Sequence, residues 1–135
     1  MPMFEWTQEY SVNVRELDEQ HKKLVDMINN LDESMKSENQ GDAIKIVLDE
    51  LLDYTAYHFE TEEKLLMQYG YPRLESHTKE HDTLSWRVLD MRTRHESGEG
   101  VEAKEILDFL TAWLKNHILF SDRQYGIFLN SKGLR

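Results

Sequence analysis

Mostly apolar residues recur along most of the chain at alternating steps of three and four, with histidines, Thr55 and Glu62 standing at some of the positions. Leu17, His21, Leu24, Ile28, Leu31 and Met35 form one such run. A second is Ile44, Leu48, Leu51, Thr55, His58, Glu62, Leu65 and Tyr69. Leu74, His77, His81, Leu84, Val88, Met91 and His95 form a third, and Ala103, Leu107, Leu110, Leu114 and His117 a fourth. Positions spaced this way share one face of an α-helix and make the inward seam of a helix bundle. The pattern predicts four helices. Ile106, Phe109 and Trp113 widen the apolar face of the last one.

Local signals set the expected boundaries. The first helix should start near Val14, where Asn13 and Glu16 have the spacing of a capping box and Val12 and Leu17 that of a hydrophobic staple. Polar residues from Ser37 to Gly41 break its seam. The second helix is expected from about Asp42 to Tyr69, closed by Gly70 and then by Pro72, where no helix can continue. The third begins near Arg73 or Leu74 and ends at Ser97-Gly98-Glu99-Gly100. The fourth starts near Val101 and ends around Tyr125-Gly126. Residues 1–13 carry Phe4, Trp6, Tyr10 and Val12 without helical spacing, and read as an extended arm whose aromatics anchor on the bundle. Ile127-Phe128-Leu129 are expected to fold back as a tail. The 135 residues thus divide into an arm (1–13), a bundle (14–126) and a tail (127–135) of one domain.

Short connections imply antiparallel neighbours, so the expected fold is an all-α, up-down-up-down four-helix bundle. His21 lies near the start of the first helix and His58 and Glu62 toward the end of the second. His77 and His81 lie at the start of the third, and His117 toward the end of the fourth. Starts of odd helices and ends of even ones share one end of such a bundle. Five histidines and Glu62 therefore fall in one buried layer.

That layer cannot satisfy itself. Each neutral imidazole brings a donor and an acceptor that need partners. Protonated rings would repel one another, and a buried carboxylate is costly unless paired or bound to a metal. A cation resolves the conflict. Five imidazoles exceed the four ligands typical of one zinc, so two metals bridged by carboxylate fit the count better. Asp122 is the candidate second carboxylate. It stands five residues after His117, off that face of a regular helix, but a π-helical turn would return it. The alternative is an exposed Asp122 in the last turn. His95 sits at the far end and reads as a last-turn residue interacting with the helix dipole. Glu63 and Asp18 read as surface residues or partners of ligands.

Composition narrows the field further. A net charge of −10 disfavours a phosphate-binding surface, and with it nucleic acid. The absence of cysteine removes thiolate metal sites and iron–sulfur clusters. No apolar run approaches the roughly 18 residues of a membrane span. Met1-Pro2-Met3-Phe4-Glu5-Trp6 lacks the regions of a signal peptide, so the cytoplasm is the expected compartment.

The set His21, His58-x-x-x-Glu62, His77-x-x-x-His81 and His117-x-x-x-x-Asp122 resembles the hemerythrin family, specifically its single-domain bacterial members. Trp6, Asp18-Glu19-Gln20-His21-Lys22-Lys23-Leu24, Glu62-Glu63, Met67, Gly70-Tyr71-Pro72 and Trp113-Leu114 extend the likeness over nearly the whole chain. The resemblance implies a non-haem di-iron centre, oxo- or hydroxo-bridged, that binds O2 reversibly. It implies one iron held by His77, His81 and His117. The other, on His21 and His58, would keep an open position, with Glu62 and Asp122 bridging. Leu24, Phe59, Trp113, Leu114 and Ile118 match family positions lining the O2 pocket; they also read as ordinary core.

The expected role is O2 storage, delivery or sensing by a monomer, a binding protein rather than an enzyme, with an O2-consuming enzyme as one client it could serve. The competing class is a di-iron oxidase, peroxidase or nitric-oxide-handling enzyme. Carboxylate-rich di-iron enzymes use Glu-x-x-His pairs, and the chain contains none. A third class is a storage or regulatory module for a different metal.

Overall fold

The four apolar seams become four long helical segments. The computed structural model describes residues 4–36, 40–98 and 103–135. A 3-10 turn (Gln8–Tyr10) precedes α1 (Arg15–Ser34), α2 (Gln40–Gln68), α3 (Leu74–Glu96) and α4 (Ala103–Asn116). A π-helical turn (His117–Asp122) then leads directly into α5 (Arg123–Ser131). Among the described residues there are no strands. Expectations for residues 1–3, for Ser37 through Asn39, for Glu99 and Gly100, and for a start at Val101 fall outside the described residues.

Neighbouring helices run antiparallel. Lys45 and Asp49, early in α2, pair with Glu96 and Arg92, late in α3. His21, early in α1, meets Glu62, late in α2. The core consists of two apolar clusters. The larger contains Leu24, Ile28, Leu31, Leu48, Leu84, Val88 and Leu110. The smaller contains Val12, Val14, Leu17, Leu66, Tyr71, Tyr125 and Leu129. Each fully buried aliphatic side chain contributes roughly 1.5–3 kcal/mol. The buried polar layer has apolar packing on both sides.

The arm is anchored as its aromatics suggest. Phe4 is buried, and Trp6 and Tyr10 pack partly buried on the larger cluster. Phe4 N–H donates to Asn29 Oδ1 at 2.9 Å, and Asn29 Nδ2 donates back to the Phe4 carbonyl at 2.8 Å. The capping box is absent. Val14 occupies the N-cap position, and Asn13 makes no side-chain cap but takes a left-handed φ of 56°. The Asp18 carboxylate does the tethering instead. It accepts from the Val12 N–H at 2.8 Å and the Ser11 hydroxyl at 2.5 Å. Val12 and Leu17 share one cluster, as a staple requires.

Two further expectations change. At the end of α2 the fully buried residue is Leu66, while Leu65 is only partly buried. A 3.6-residue helix drifts from a strict 3.5 repeat. Residues 127–131 do not fold back: they continue α5, with Leu129 buried. The helix continues because its inner face is covered by the arm. A Cβ at Gly126 would lie 2.6 Å from the Val12 carbonyl oxygen, an approach that only glycine permits.

Candidate metal centre

α1 supplies His21, α2 His58 and Glu62, α3 His77 and His81, and the π-helical turn His117 and Asp122. All seven are buried, none more than 5 % exposed. The extra residue in the π turn brings Asp122 back onto the His117 face, so the exposed alternative is ruled out. The geometry divides the seven into two groups, each with its donor atoms within 4.8 Å of one another. Glu62, His77, His81, His117 and Asp122 form one, and His21, His58 and Glu62 the other. Asp122 Oδ2 also lies 3.1 Å from His21 Nε2, so both carboxylates face both groups.

The contacts suit a cation better than they suit one another. His77 and His117 Nε2 lie 3.1 and 3.0 Å from Asp122 Oδ1. Yet both Asp122 oxygens are buried without an aligned hydrogen bond. The atoms are close but do not point at each other. His81 and His117 bring their Nε2 atoms within 3.2 Å, a poor arrangement for two neutral acceptors. Ligand atoms about 2.1 Å from a shared cation are about 3.0 Å apart in an octahedron, and about 3.4 Å apart in a tetrahedron. Most of the observed Nε2-to-oxygen separations, at 3.0 and 3.1 Å, lie close to the former, while His77 to Glu62 at 3.3 Å lies nearer the latter. The residues therefore fit a pair of metal ions with oxygen and imidazole ligands.

Burial and charge in the layer shift the proton equilibria of six of its residues. Burial opposes protonation of His21, but the adjacent carboxylates of Asp122 and Glu62 outweigh it and raise the imidazole to about 9. The same balance raises His77 to about 10. At His117 burial is again outweighed, first by the charge of Asp122, giving about 9. His58 goes the other way, lowered by burial. Burial pushes Glu62 up, but the charge of His58 and hydrogen bonds from His21, His58 and His77 hold it well below the usual range. Burial and the charge of Glu62 likewise push Asp122 up, and His117 and His21 hold it well below.

A second tier of residues orients these ligands. Gln20 Oε1 accepts from His58 Nδ1 at 2.6 Å. Glu63 accepts from His81 Nδ1 at 3.3 Å, the partner role considered for it. Glu80 lies 3.5 Å from His117 Nδ1 and is held by the Ser121 hydroxyl at 2.6 and 2.8 Å. Fully buried Tyr125 donates its hydroxyl to Glu62 Oε2 at 2.5 Å. Burial holds its phenol well above 10, so it remains a donor. Sequence reading missed Gln20, Glu80 and Tyr125. Tyr125 had a usable signal: it stands three residues after Asp122, on the same face.

An apolar cavity of about 20 Å³ adjoins the layer. Leu24, Phe59, Trp113 and Leu114 line it, with Ile28, Leu51, Thr55, Leu84 and Leu110. Ile118, expected there, is buried in the larger cluster but does not line it. Phe59 stacks on His81, with centroids 3.8 Å apart, and Trp113 stacks on His117 at 4.4 Å. The rings that wall the cavity are thus the rings that touch the ligands. His95 lies in the last turn of α3, away from this layer.

Comparison with known proteins points the same way. Residues 12–126 match the family model described as the hemerythrin HHE cation binding domain. The chain is 34% identical over 132 residues to a bacteriohemerythrin of Methylococcus capsulatus, covering 97% of this chain and 100% of that one. It is 33% identical over 126 residues to one from Stenotrophomonas maltophilia, covering 93% and 81%. A wild-type hemerythrin crystal structure superposes with a TM-score of 0.85 at 35% identity, covering 92% of this chain and 95% of that one. A mutant hemerythrin structure gives 0.86 at 34% identity, covering 93% and 96%. With its HHE-type cation-binding layer in a four-helix bundle, the chain belongs to the hemerythrin family.

Proposed function

We propose that the protein binds O2 reversibly at a pair of iron ions held in this layer, serving oxygen storage, delivery or sensing. The observation that carries the reading is the unequal sharing of the layer. Three imidazoles and two carboxylates converge on one position, and two imidazoles and the same carboxylates on the other. The second position is short of ligands, and an apolar cavity lies beside the layer.

Two iron ions would supply the two electrons that O2 binding formally takes, one from each. The rest falls to the chain. Glu62 and Asp122 face both positions and neutralise part of the cationic charge. Tyr125 fixes the orientation of Glu62. Gln20 accepts a hydrogen bond from Nδ1–H of His58 and so leaves the Nε2 lone pair free for a metal. The leucines and aromatic rings of the cavity offer water no partners. Among the described residues no helix is long and apolar enough to cross a membrane. The role fits a cytoplasmic monomer that binds rather than transforms its ligand.

The test is anaerobic reconstitution with ferrous iron, metal analysis, and spectra before air, after air and after O2 removal. Two irons per chain and a spectrum that reverses support the reading. One iron per chain, preference for zinc in iron-replete cells, or steady consumption of a reductant refutes it; the last favours an oxidase.

A further inference from the structure

The two halves of the centre differ in what stands behind their imidazoles. Behind His81 stands a carboxylate, Glu63, 3.3 Å from its Nδ1 and hydrogen-bonded to it, and behind His117 the Glu80 carboxylate lies 3.5 Å from Nδ1 as a charge contact without an aligned hydrogen bond. Glu80 is itself fixed by Ser121. Behind His58 is an uncharged amide, Gln20, buried and 2.6 Å away. Among the described residues no carboxylate pairs with Nδ1 of His21 or His58; their ion pairs all run through Nε2.

That difference has a chemical consequence. At His81 a carboxylate accepting Nδ1–H draws the proton toward itself and adds electron density to the ring, which strengthens Nε2 as a donor, and at His117 the adjacent negative charge of Glu80 acts in the same direction. An amide fixes the same tautomer without adding charge. The carboxylate-backed side also gathers more ligands, five against four when Asp122, which faces both positions, is counted for each. Donor strength and donor number therefore favour the same position.

We propose that the two metal positions differ in affinity: the one at His77, His81 and His117 is tight, the one at His21 and His58 is labile, and Gln20 sets that lability. This rests on the two-metal reading above. Metal then loads in a fixed order. Under scarcity the tight position stays filled while the ligand-poor position, the one open to a small molecule, empties first. Two-electron binding of O2 needs both, so metal supply gates the function at Gln20.

The test is an anaerobic titration of the metal-free full chain with Co2+, followed by equilibrium dialysis for stoichiometry and tryptophan fluorescence for position. Trp113 stacks on His117 with planes 17° apart, so an ion on His117 quenches it. The difference between wild type and Trp113→Phe isolates that signal. Two equivalents are expected, the first at least about tenfold tighter and carrying the Trp113 quench. Gln20→Glu, nearly isosteric, should tighten the second equivalent about tenfold and leave the first unmoved. Gln20→Leu should weaken the second by roughly 10- to 100-fold. Equal affinities, a first equivalent that spares Trp113, or a Gln20→Glu second equivalent no tighter than wild type overturns the inference and leaves the two-metal reading standing. A chain that takes one equivalent at any concentration refutes the two-metal reading itself.

Discussion

Leu114 tests whether dryness, rather than the ligand set, makes this centre a carrier. It is 5 % exposed, lines the cavity and stands three residues before His117. The cavity's volume, about 20 Å³, is enough for one water, which needs roughly 10–15 Å³ of such space. A water there also needs at least two polar partners. Among the described residues the only hydroxyl in the wall is that of Thr55, which already donates to the Leu52 carbonyl at 3.1 Å and so could only accept, one partner where a water needs two. Leu114→Asn adds an amide of similar size with a donor and an acceptor. Two net hydrogen bonds contribute about 1–3 kcal/mol toward holding a water, a roughly five- to hundredfold rise in its occupancy. Oxidation of the centre that depends on water or its proton should accelerate by about tenfold, a barrier change of about 1.4 kcal/mol. The assay is the decay of the oxygenated absorption band at fixed pH and temperature, with iron content measured to confirm loading. Leu114→Ala is the control. It enlarges the cavity without polar groups, and apolar cavities stay dry, so its decay should stay near wild type. Equal decay of wild type and Leu114→Asn, or equally fast decay of the Ala and Asn variants, refutes the reasoning.

Removing metal leaves the buried carboxylates and imidazoles to one another, so a chelated sample should melt well below the iron-loaded one; equal melting temperatures count against a core site. The metal-free form should also lose stability with rising pH. His21, His77 and His117 sit above the ordinary 6.5, so their contribution is complete below pH 6.5 and lost as pH climbs through about 9 to 10. Glu62, Asp122 and His58 are lowered, so their contributions are lost as pH falls. Melting temperature against pH should therefore peak between about 5 and 7, and a flat profile from 6.5 to 10 contradicts these pairings. Tyr125→Phe deletes a hydrogen bond to a buried carboxylate and should cost about 1.5–3 kcal/mol by chemical denaturation of the metal-free chain, with Glu62 still in place. Asp122→Asn keeps the size but removes a charge facing both positions; iron content should fall below one per chain after dialysis, whereas an exposed Asp122 would leave it unchanged.

Much of the molecule is legible in the sequence because helical periodicity is local. Each seam repeats every three or four residues, and short connections force neighbours to run antiparallel. Those two facts place His21, His58, Glu62, His77, His81 and His117 at one end of one bundle before any coordinate is known. The chemistry of that layer follows from residue type alone, since imidazoles and carboxylates buried together need a cation. What the sequence leaves open is phase and reach. One extra residue in a helical turn rotates everything beyond it by about 100°, and only the packed helix shows that the π turn at His117–Asp122 seats both Asp122 and Tyr125 inside. The continuation of α5 past Gly126 depends on the arm covering it at Val12, more than a hundred residues away in the chain. Asp18 tethers the arm where Asn13 was expected to cap, because Asn13 takes a left-handed backbone and makes no side-chain cap. Gln20 behind His58 and Glu80 behind His117 are likewise contacts between helices. Periodicity says which face a residue occupies. Which atom on the neighbouring helix its side chain meets is decided by how the helices are set against one another.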